Sequence, residues 1–187
     1  MLKRLFDLFF ALALLVMISI PFLIVYLAVK LTSKGPVFHM SKRIGKNNQI
    51  FLMPKFRSMK INTPQLATHL LSNPEAFLTP IGSFLRKSSL DEIPQILSVI
   101  SGDMSLVGPR PALFNQDDLK ELRTKCGVHK LTPGITGWAQ INGRDELPIP
   151  VKVQFDEYYL KNQSLTLDIK ILFLTAYKIF KKEGITH

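Results

Sequence analysis

Residues 8–29 read LFFALALLVMISIPFLIVYLAV, 22 consecutive positions without a charge. About 20 apolar residues reach across the hydrocarbon core of a bilayer as a helix, so this run predicts a membrane segment. A cleaved signal peptide fits less well, because its apolar region is about 7–15 residues long and ends in small residues. Near the middle stands Ser19-Ile20-Pro21. Proline removes one backbone donor and its ring meets the carbonyl four residues back, which predicts a kink in the helix, eased if Ser19 bonds an upstream carbonyl. Lys3 and Arg4 precede the run; Lys30, Lys34, Lys42 and Arg43 follow it. Basic residues favour the cytoplasmic side, and both flanks satisfy that preference only if the chain leaves by the leaflet it entered. A spanning helix with a tolerated proline kink is the other reading, since hydropathy sets length and not path.

The whole chain has 187 residues, enough for one domain with its own core. Hydrophobic residues make up 47% and charged residues 20%, which excludes a disordered tail. A single cysteine, Cys126, excludes a disulfide framework and a cysteine-built zinc site. The four histidines form no H-E-x-x-H pattern, which argues against a histidine-built metal site. The net charge of +10 is unevenly placed: residues 1–60 hold ten Lys/Arg and one acid, Asp7. A basic segment joined to an apolar one predicts an anionic partner such as lipid headgroups or phosphate-bearing substrates. Nucleic acid is the weaker choice, because the excess surrounds the apolar run and no RNP, KH or zinc-finger pattern occurs.

The remaining pattern predicts a mainly α fold with a small β-hairpin. Residues 36–60 read as two short strands around Gly45-Lys46-Asn47-Asn48. Residues 62–80 read as one or two short helices between prolines, and residues 89–101 as a helix with Ile93, Ile96, Leu97 and Ile100 on one face. Residues 105–112 (SLVGPRPA) read as a rigid loop in which either proline bond is a candidate for the cis form. Residues 115–126 read as a short helix, and 131–150 as irregular because of their Gly and Pro. Residues 151–182 read as helical with a break near Asn162–Ser164. There Leu165, Ile169, Leu172, Ala176 and Ile179 share a face with lysines interleaved, a pattern that suits a core helix or an amphipathic one at a membrane interface.

The chemistry-bearing stretch is Phe84-Leu85-Arg86-Lys87-Ser88-Ser89-Leu90-Asp91-Glu92-Ile93-Pro94-Gln95. Ser89-x-x-Glu92 reads as a capping box, with acids complementing the helix dipole. Pro94 fits that register poorly, and better if Asp91 is the N-cap. The alternative is chemical. Two adjacent acids suit Mg²⁺ together with substrate phosphates. Arg86 and Lys87 suit a phosphoryl group, and an aspartate can attack phosphorus. On spacing alone the capping reading is the stronger of the two.

The run Arg86–Pro111, RKSSLDEIPQILSVISGDMSLVGPRP, resembles the core of the bacterial sugar transferases, the small monotopic phosphoglycosyl transferases. The resemblance extends over nearly the whole chain. It takes in Lys3-Arg4-x-x-Asp7, Gly35-Pro36-Val37-Phe38, Arg43-x-Gly45, Lys55-Phe56-Arg57-Ser58-Met59, Pro133–Arg144 and Asp156-Glu157-Tyr158-Tyr159. His39 and Ser41 depart from the family's aromatic-x-Gln, and the linker 63–79 matches nothing recognisable.

The resemblance implies transfer of a phosphosugar from a UDP-sugar to polyprenyl (undecaprenyl) phosphate, with release of UMP, as the first step of bacterial glycoconjugate assembly. It implies that Asp91 is the nucleophile forming an aspartyl-phosphosugar intermediate, and that Glu92 helps hold Mg²⁺. It implies a re-entrant helix over 1–34, broken near Ser19 and Pro21, and a compact catalytic domain over 35–187. That domain would lie with interfacial amphipathic helices on the cytoplasmic face of the bacterial inner membrane. Arg86 is the first candidate phosphate ligand. Arg110 is next, held between Pro109 and Pro111, because arginine meets phosphate bidentately. Lys55 and Arg57 are candidates for phosphate or headgroups, and Arg144 for the nucleotide. Trp138 reads as an anchor, Asp103 as a local cap, Asp156 and Glu157 as ion-pair partners, and Cys126 and the histidines as structural. The competing function is a membrane-anchored, non-catalytic lipid or anion scaffold in which Asp91 and Glu92 only cap a helix.

Overall fold

In the computed structural model, which describes residues 1–64, 73–143 and 147–181, the apolar run forms one helix, α1 (Leu2–Thr32). It is long and apolar enough to cross a membrane. The break predicted at Ser19–Pro21 is not present as an interruption: Pro21 lies inside the helix. Proline's fixed φ is close to the helical value, which lets helical structure continue through it with one backbone bond unmade. The Ser19 hydroxyl donates to the Val16 carbonyl at 2.8 Å, as the sequence predicted for an eased proline site.

One face of α1 packs against the rest of the chain along its whole length. Asp7, Ala11, Val25 and Val29 are buried on it. The opposite side exposes Phe9, Val16, Met17, Ile20, Ile24 and Leu31. At the first turn, Lys3 pairs with Asp168 at 2.7 Å and Arg4 donates to the carbonyls of Val99 and Ile100. Asp7 accepts from the Ser105 hydroxyl and the Leu106 amide. At the other end, Val25 and Val29 cluster with Val37, Phe56 and Leu85.

The predicted hairpin is present: β1 (Phe38–Ile44) pairs antiparallel with β2 (Ile50–Phe56) in the register Phe38↔Phe56 to Ile44↔Ile50. Asn47 and Asn48 turn the chain at positive φ, which asparagine tolerates better than most residues. Of the helices predicted over 62–80, residues 65–72 lie outside the described residues, and the described part holds a 3₁₀ turn at Pro74–Phe77. Two short helices follow, α2 (Gly82–Lys87) and α3 (Gln95–Ser101).

Two stretches predicted to be irregular contain strands. β3 (Ser105–Val107) pairs parallel with β4 (Gly134–Thr136). The glycines that argued against regular structure are what permit it, because a Cβ at Gly134 would overlap the Gly108 amide. The described peptide bonds around Pro109 and Pro111 are trans, so the cis form considered there is not adopted.

The remaining helices are α4 (Asp117–Lys125), α5 (Trp138–Ile141), α6 (Ile149–Asn162) and α7 (Leu165–Lys181). The break between the last two falls where the sequence placed it. The packed face of α7 differs from the predicted stripe: Asp168 and Ile171 are buried, whereas Ile169, Ala176 and Ile179 are exposed. Asp168 turns the helix inward because it is bonded by Lys3 and by the Tyr159 hydroxyl, which satisfies a carboxylate that would otherwise be costly to bury. The main core lies between α1, α3, β3, α6 and α7, around Ala11, Ile96, Val99, Val107, Tyr159 and Ile171.

Candidate active site

The helix predicted over 89–101 is split. Leu90–Glu92 form a 3₁₀ turn, Pro94 is the N-cap of α3, and regular helix begins at Gln95. A proline lacking its N–H is suited to that boundary. Ser89 stands before the turn in the left-handed region at φ 55°. Such backbone costs of order 1–3 kcal/mol in a non-glycine residue and persists only where the surroundings hold it. No side chain caps the turn, so the capping box predicted from Ser89-x-x-Glu92 is not formed.

Glu92 has other partners. Its Oε1 accepts from Lys55 Nζ at 2.7 Å and from Arg110 Nη2 at 3.2 Å. Lys55 arrives from β2 and Arg110 from the loop after β3, so three separated segments converge on one carboxylate oxygen. Among the described residues nothing bonds Oε2. Burial would raise the Glu92 pKa, but the Arg110 and Lys55 cations outweigh it and hold the carboxyl well below its usual range.

Asp91, one residue away, is buried. Burial pushes its pKa up to about 6; Lys55 and Arg86 oppose the rise and Glu92 adds to it. The turn therefore holds two carboxyls of different acidity: one held well below the usual range by cations, the other raised by burial to about 6. That separation is how neighbouring carboxyls acquire different chemical tasks.

The remaining predicted residues divide. Arg86, at the end of α2, brings its charge to bear on Asp91 and its Nη1 meets Met59 Sδ at 3.5 Å. Arg57 is not in this cluster. It is buried and donates to the Ser33 and Lys34 carbonyls at 2.9 and 2.8 Å, which clamps the exit of α1. Arg144 lies outside the described residues. Trp138 stacks on Tyr158 with ring centroids 5.3 Å apart, as an anchor would.

Sequence reading missed two contributors. Arg123 donates through Nη1 to the Arg110 carbonyl at 2.9 Å while its Nε and Nη2 hold buried Asp156. It thereby ties the backbone of the Arg110 loop to α4 and α6. Its inward position one turn after Leu119 was the available signal. His39, read as structural, lies directly across the hairpin from Lys55. Burial, Lys55 and Arg43 lower its pKa, which keeps the imidazole neutral beside the cation that grips Glu92.

Among the described residues no three His, Cys, Asp or Glu side chains come together as a metal cage. Mg²⁺ does not require one, since it takes one or two carboxylates and completes its shell with water and substrate phosphates. A buried Asp91 short of positive charge and the open Oε2 of Glu92 fit that donor set.

The pattern of the family described as bacterial sugar transferase matches residues 1–182. The uncharacterized sugar transferase EpsL of Bacillus subtilis is 43% identical over 98% of this chain and 90% of its own length. The UDP-glucose:undecaprenyl-phosphate glucose-1-phosphate transferase of Escherichia coli is 42% identical over 96% of this chain, and the undecaprenyl-phosphate galactose phosphotransferase of Salmonella typhimurium 36% over 98%. The chain spans only 40% and 41% of the length of those two larger relatives. A match running from α1 through the Asp91 turn and into α7 leaves no major element outside it, and the chain belongs to the bacterial sugar transferase family.

Proposed function

We propose that the protein transfers a phosphosugar from a UDP-sugar to polyprenyl phosphate, with undecaprenyl phosphate as the acceptor, and that Asp91 carries the group between them. The observation that supports this most directly is the unequal pair. Glu92 already has two cationic partners, whereas Asp91 is buried and undercompensated, so Asp91 is the carboxyl available to react. The names of the related transferases supply the acceptor and donor classes.

In this mechanism an Asp91 oxygen attacks the sugar-linked phosphorus. The phosphoanhydride bond breaks and its electron pair leaves with UMP. An oxygen of the lipid phosphate then attacks the same phosphorus, expelling the Asp91 carboxylate and yielding the polyprenyl-diphosphate sugar. Arg86, facing Asp91, counters charge on the transferring phosphoryl group. Asp91 and Glu92 would hold Mg²⁺, which supplies charge neutralisation where phosphate meets carboxylate. Lys55 and Arg110 keep Glu92 ionised and oriented. The scaffold alternative needs the Asp-Glu pair as a helix cap, and the turn carries no such cap.

The same proposal takes the chain as monotopic, with residues 1–34 in the membrane and 35–187 at the cytoplasmic interface. Both ends of α1 dock on one folded body: Lys3, Arg4 and Asp7 on α3, β3 and α7, and Ser33 and Lys34 on Arg57. A spanning helix would carry one end across about 30 Å of hydrocarbon and leave that end's polar contacts unmade. The outward row of α1 and the exposed Ile169, Phe173 and Tyr177 of α7, with Lys170 and Lys181 beside them, suit an interfacial placement. The test is a screen of UDP-sugars for UMP release by the full chain, with polyprenyl phosphate and Mg²⁺. No release from any of them would overturn the proposal.

A further inference from the structure

A cavity of about 470 Å³ opens at the C-terminal end of α1, and none of the catalytic side chains named above lines it. Its walls come from the segment after α1, the segment after β2 and the turn before α2. Its volume is that of a small-molecule site. Lys34, Arg57 and Lys60 line it, and no acid does among the described residues. Lys34 is exposed and forms no ion pair among the described residues; Lys60 Nζ donates to the Ala76 carbonyl at 2.7 Å. Arg57 is 5% exposed, and although its two Nη groups are bonded, its buried Nε–H has no acceptor. That Nε is closed off from the cavity, so Arg57 contributes positive charge to the wall rather than a free donor. Ile61, 65% exposed, adds an apolar surface to the lining.

We propose that this cavity is a capture site for the phosphate head of a lipid phosphomonoester. The assignment rests on the proposed function, for which such a lipid is the acceptor. The head would sit between Lys34 and Lys60, over the charge of Arg57, with the first apolar units of its chain against Ile61. Three cationic groups favour a phosphomonoester, near −2 at neutral pH, over the singly charged phosphodiester of bulk lipids. Met59, next to Lys60 in the chain, meets with its sulfur the Arg86 guanidinium whose charge bears on Asp91, which links the segment lining the cavity to the Asp91 turn.

The test uses the full chain in phosphatidylcholine nanodiscs and equilibrium binding of radiolabelled farnesyl phosphate, which needs no turnover. Lys34→Gln and Lys60→Gln should each weaken binding about tenfold, and UMP release before lipid addition should keep its rate and amplitude. Ile61→Trp, which retains both lysines and fills the rim, should also weaken binding and decides the matter if the lysine variants fail to fold. Phosphatidylglycerol should not displace the probe, and inorganic phosphate should do so only at far higher concentration. Undiminished affinity in a folded variant, or displacement by either competitor as effective as by farnesyl phosphate itself, would overturn the assignment. Absence of UMP release by the wild-type chain would overturn the proposed function instead, and the binding result would still judge the cavity.

Discussion

Replacing Asp91 with asparagine should abolish transfer and make the protein more stable at neutral pH. The Asp91 carboxyl rises from 3.8 to about 6 in the folded chain. One pKa unit corresponds to about 1.36 kcal/mol, so burying the ionised carboxylate costs about 3 kcal/mol. The sign follows from proton linkage. A carboxyl that holds its proton more tightly when folded contributes least to stability above its folded pKa, and the loss develops as pH rises from about 4 through about 6. Asparagine has the same shape and no charge to desolvate. Asp91→Asn should therefore melt higher than wild type at pH 8, by roughly 5–10 °C for a chain of this size, and the two should converge near pH 4. Thermal unfolding in detergent, followed by the single tryptophan, Trp138, reads this directly. UMP release from the same preparations should be absent in the variant and should rise through pH 6 in the wild type. A Tm gain that is the same at pH 4 and pH 8, no gain at either, or near-wild-type UMP release by the variant would refute the reasoning.

Three further outcomes are expected. Cysteine labels at residues 2 and 42 should react from the same side of the membrane, and labelling from opposite faces would show a spanning helix. UMP should appear before the lipid acceptor is added, up to one equivalent, with the phosphosugar trapped on the fragment containing Ser88–Gln95. Chelation of Mg²⁺ should stop that half-reaction, and strict dependence of UMP release on the lipid, without labelled protein, would exclude the covalent route. Arg123→Ala should destabilise by about 3–5 kcal/mol, because Asp156 is left buried and unpaired. Adding Asp156→Leu should recover much of that stability without recovering activity, since the Arg110 carbonyl still lacks its anchor; full recovery of activity would show that the anchor is unimportant.

What could be read from the sequence was local in origin. The uncharged run gave α1, the asparagine turn gave the hairpin, and the polar gap at 162–164 separated α6 from α7. What could not be read depended on partners distant in sequence. The pairing of β3 with β4 needs glycines at 108 and 134 to meet, and neither segment carries the alternation of an ordinary strand. The rotation of α7 depends on Lys3, 165 positions earlier, finding Asp168. Within the site, motif resemblance selected Asp91, Glu92, Lys55, Arg86 and Arg110, and the fold gathers all five. It could not separate Lys55 from Arg57, two residues apart on an extended segment. Alternation puts residues two apart on the same side, so the pattern gave no ground for parting them; they diverge because Lys55 lies inside β2 and reaches the Asp91–Glu92 turn, whereas Arg57 lies just past the strand's end and turns to the α1 exit.

The end of β2 links the two parts of the molecule that the proposed reaction needs. Lys55 reaches Glu92 and Arg57 the carbonyls at the end of α1, so a single strand exit joins the candidate carboxylates to the apolar helix. The other end of α1 reaches the site through α3, whose last carbonyls are held by Arg4 and whose first residues follow the Asp91 turn. Both ends of α1 are thus braced against the segment that carries Asp91. A carboxyl whose acidity is weakened by burial depends on such bracing, because a turn free to open would admit water, return Asp91 to an ordinary acidity and dissipate the difference from Glu92 on which the proposed division of labour rests.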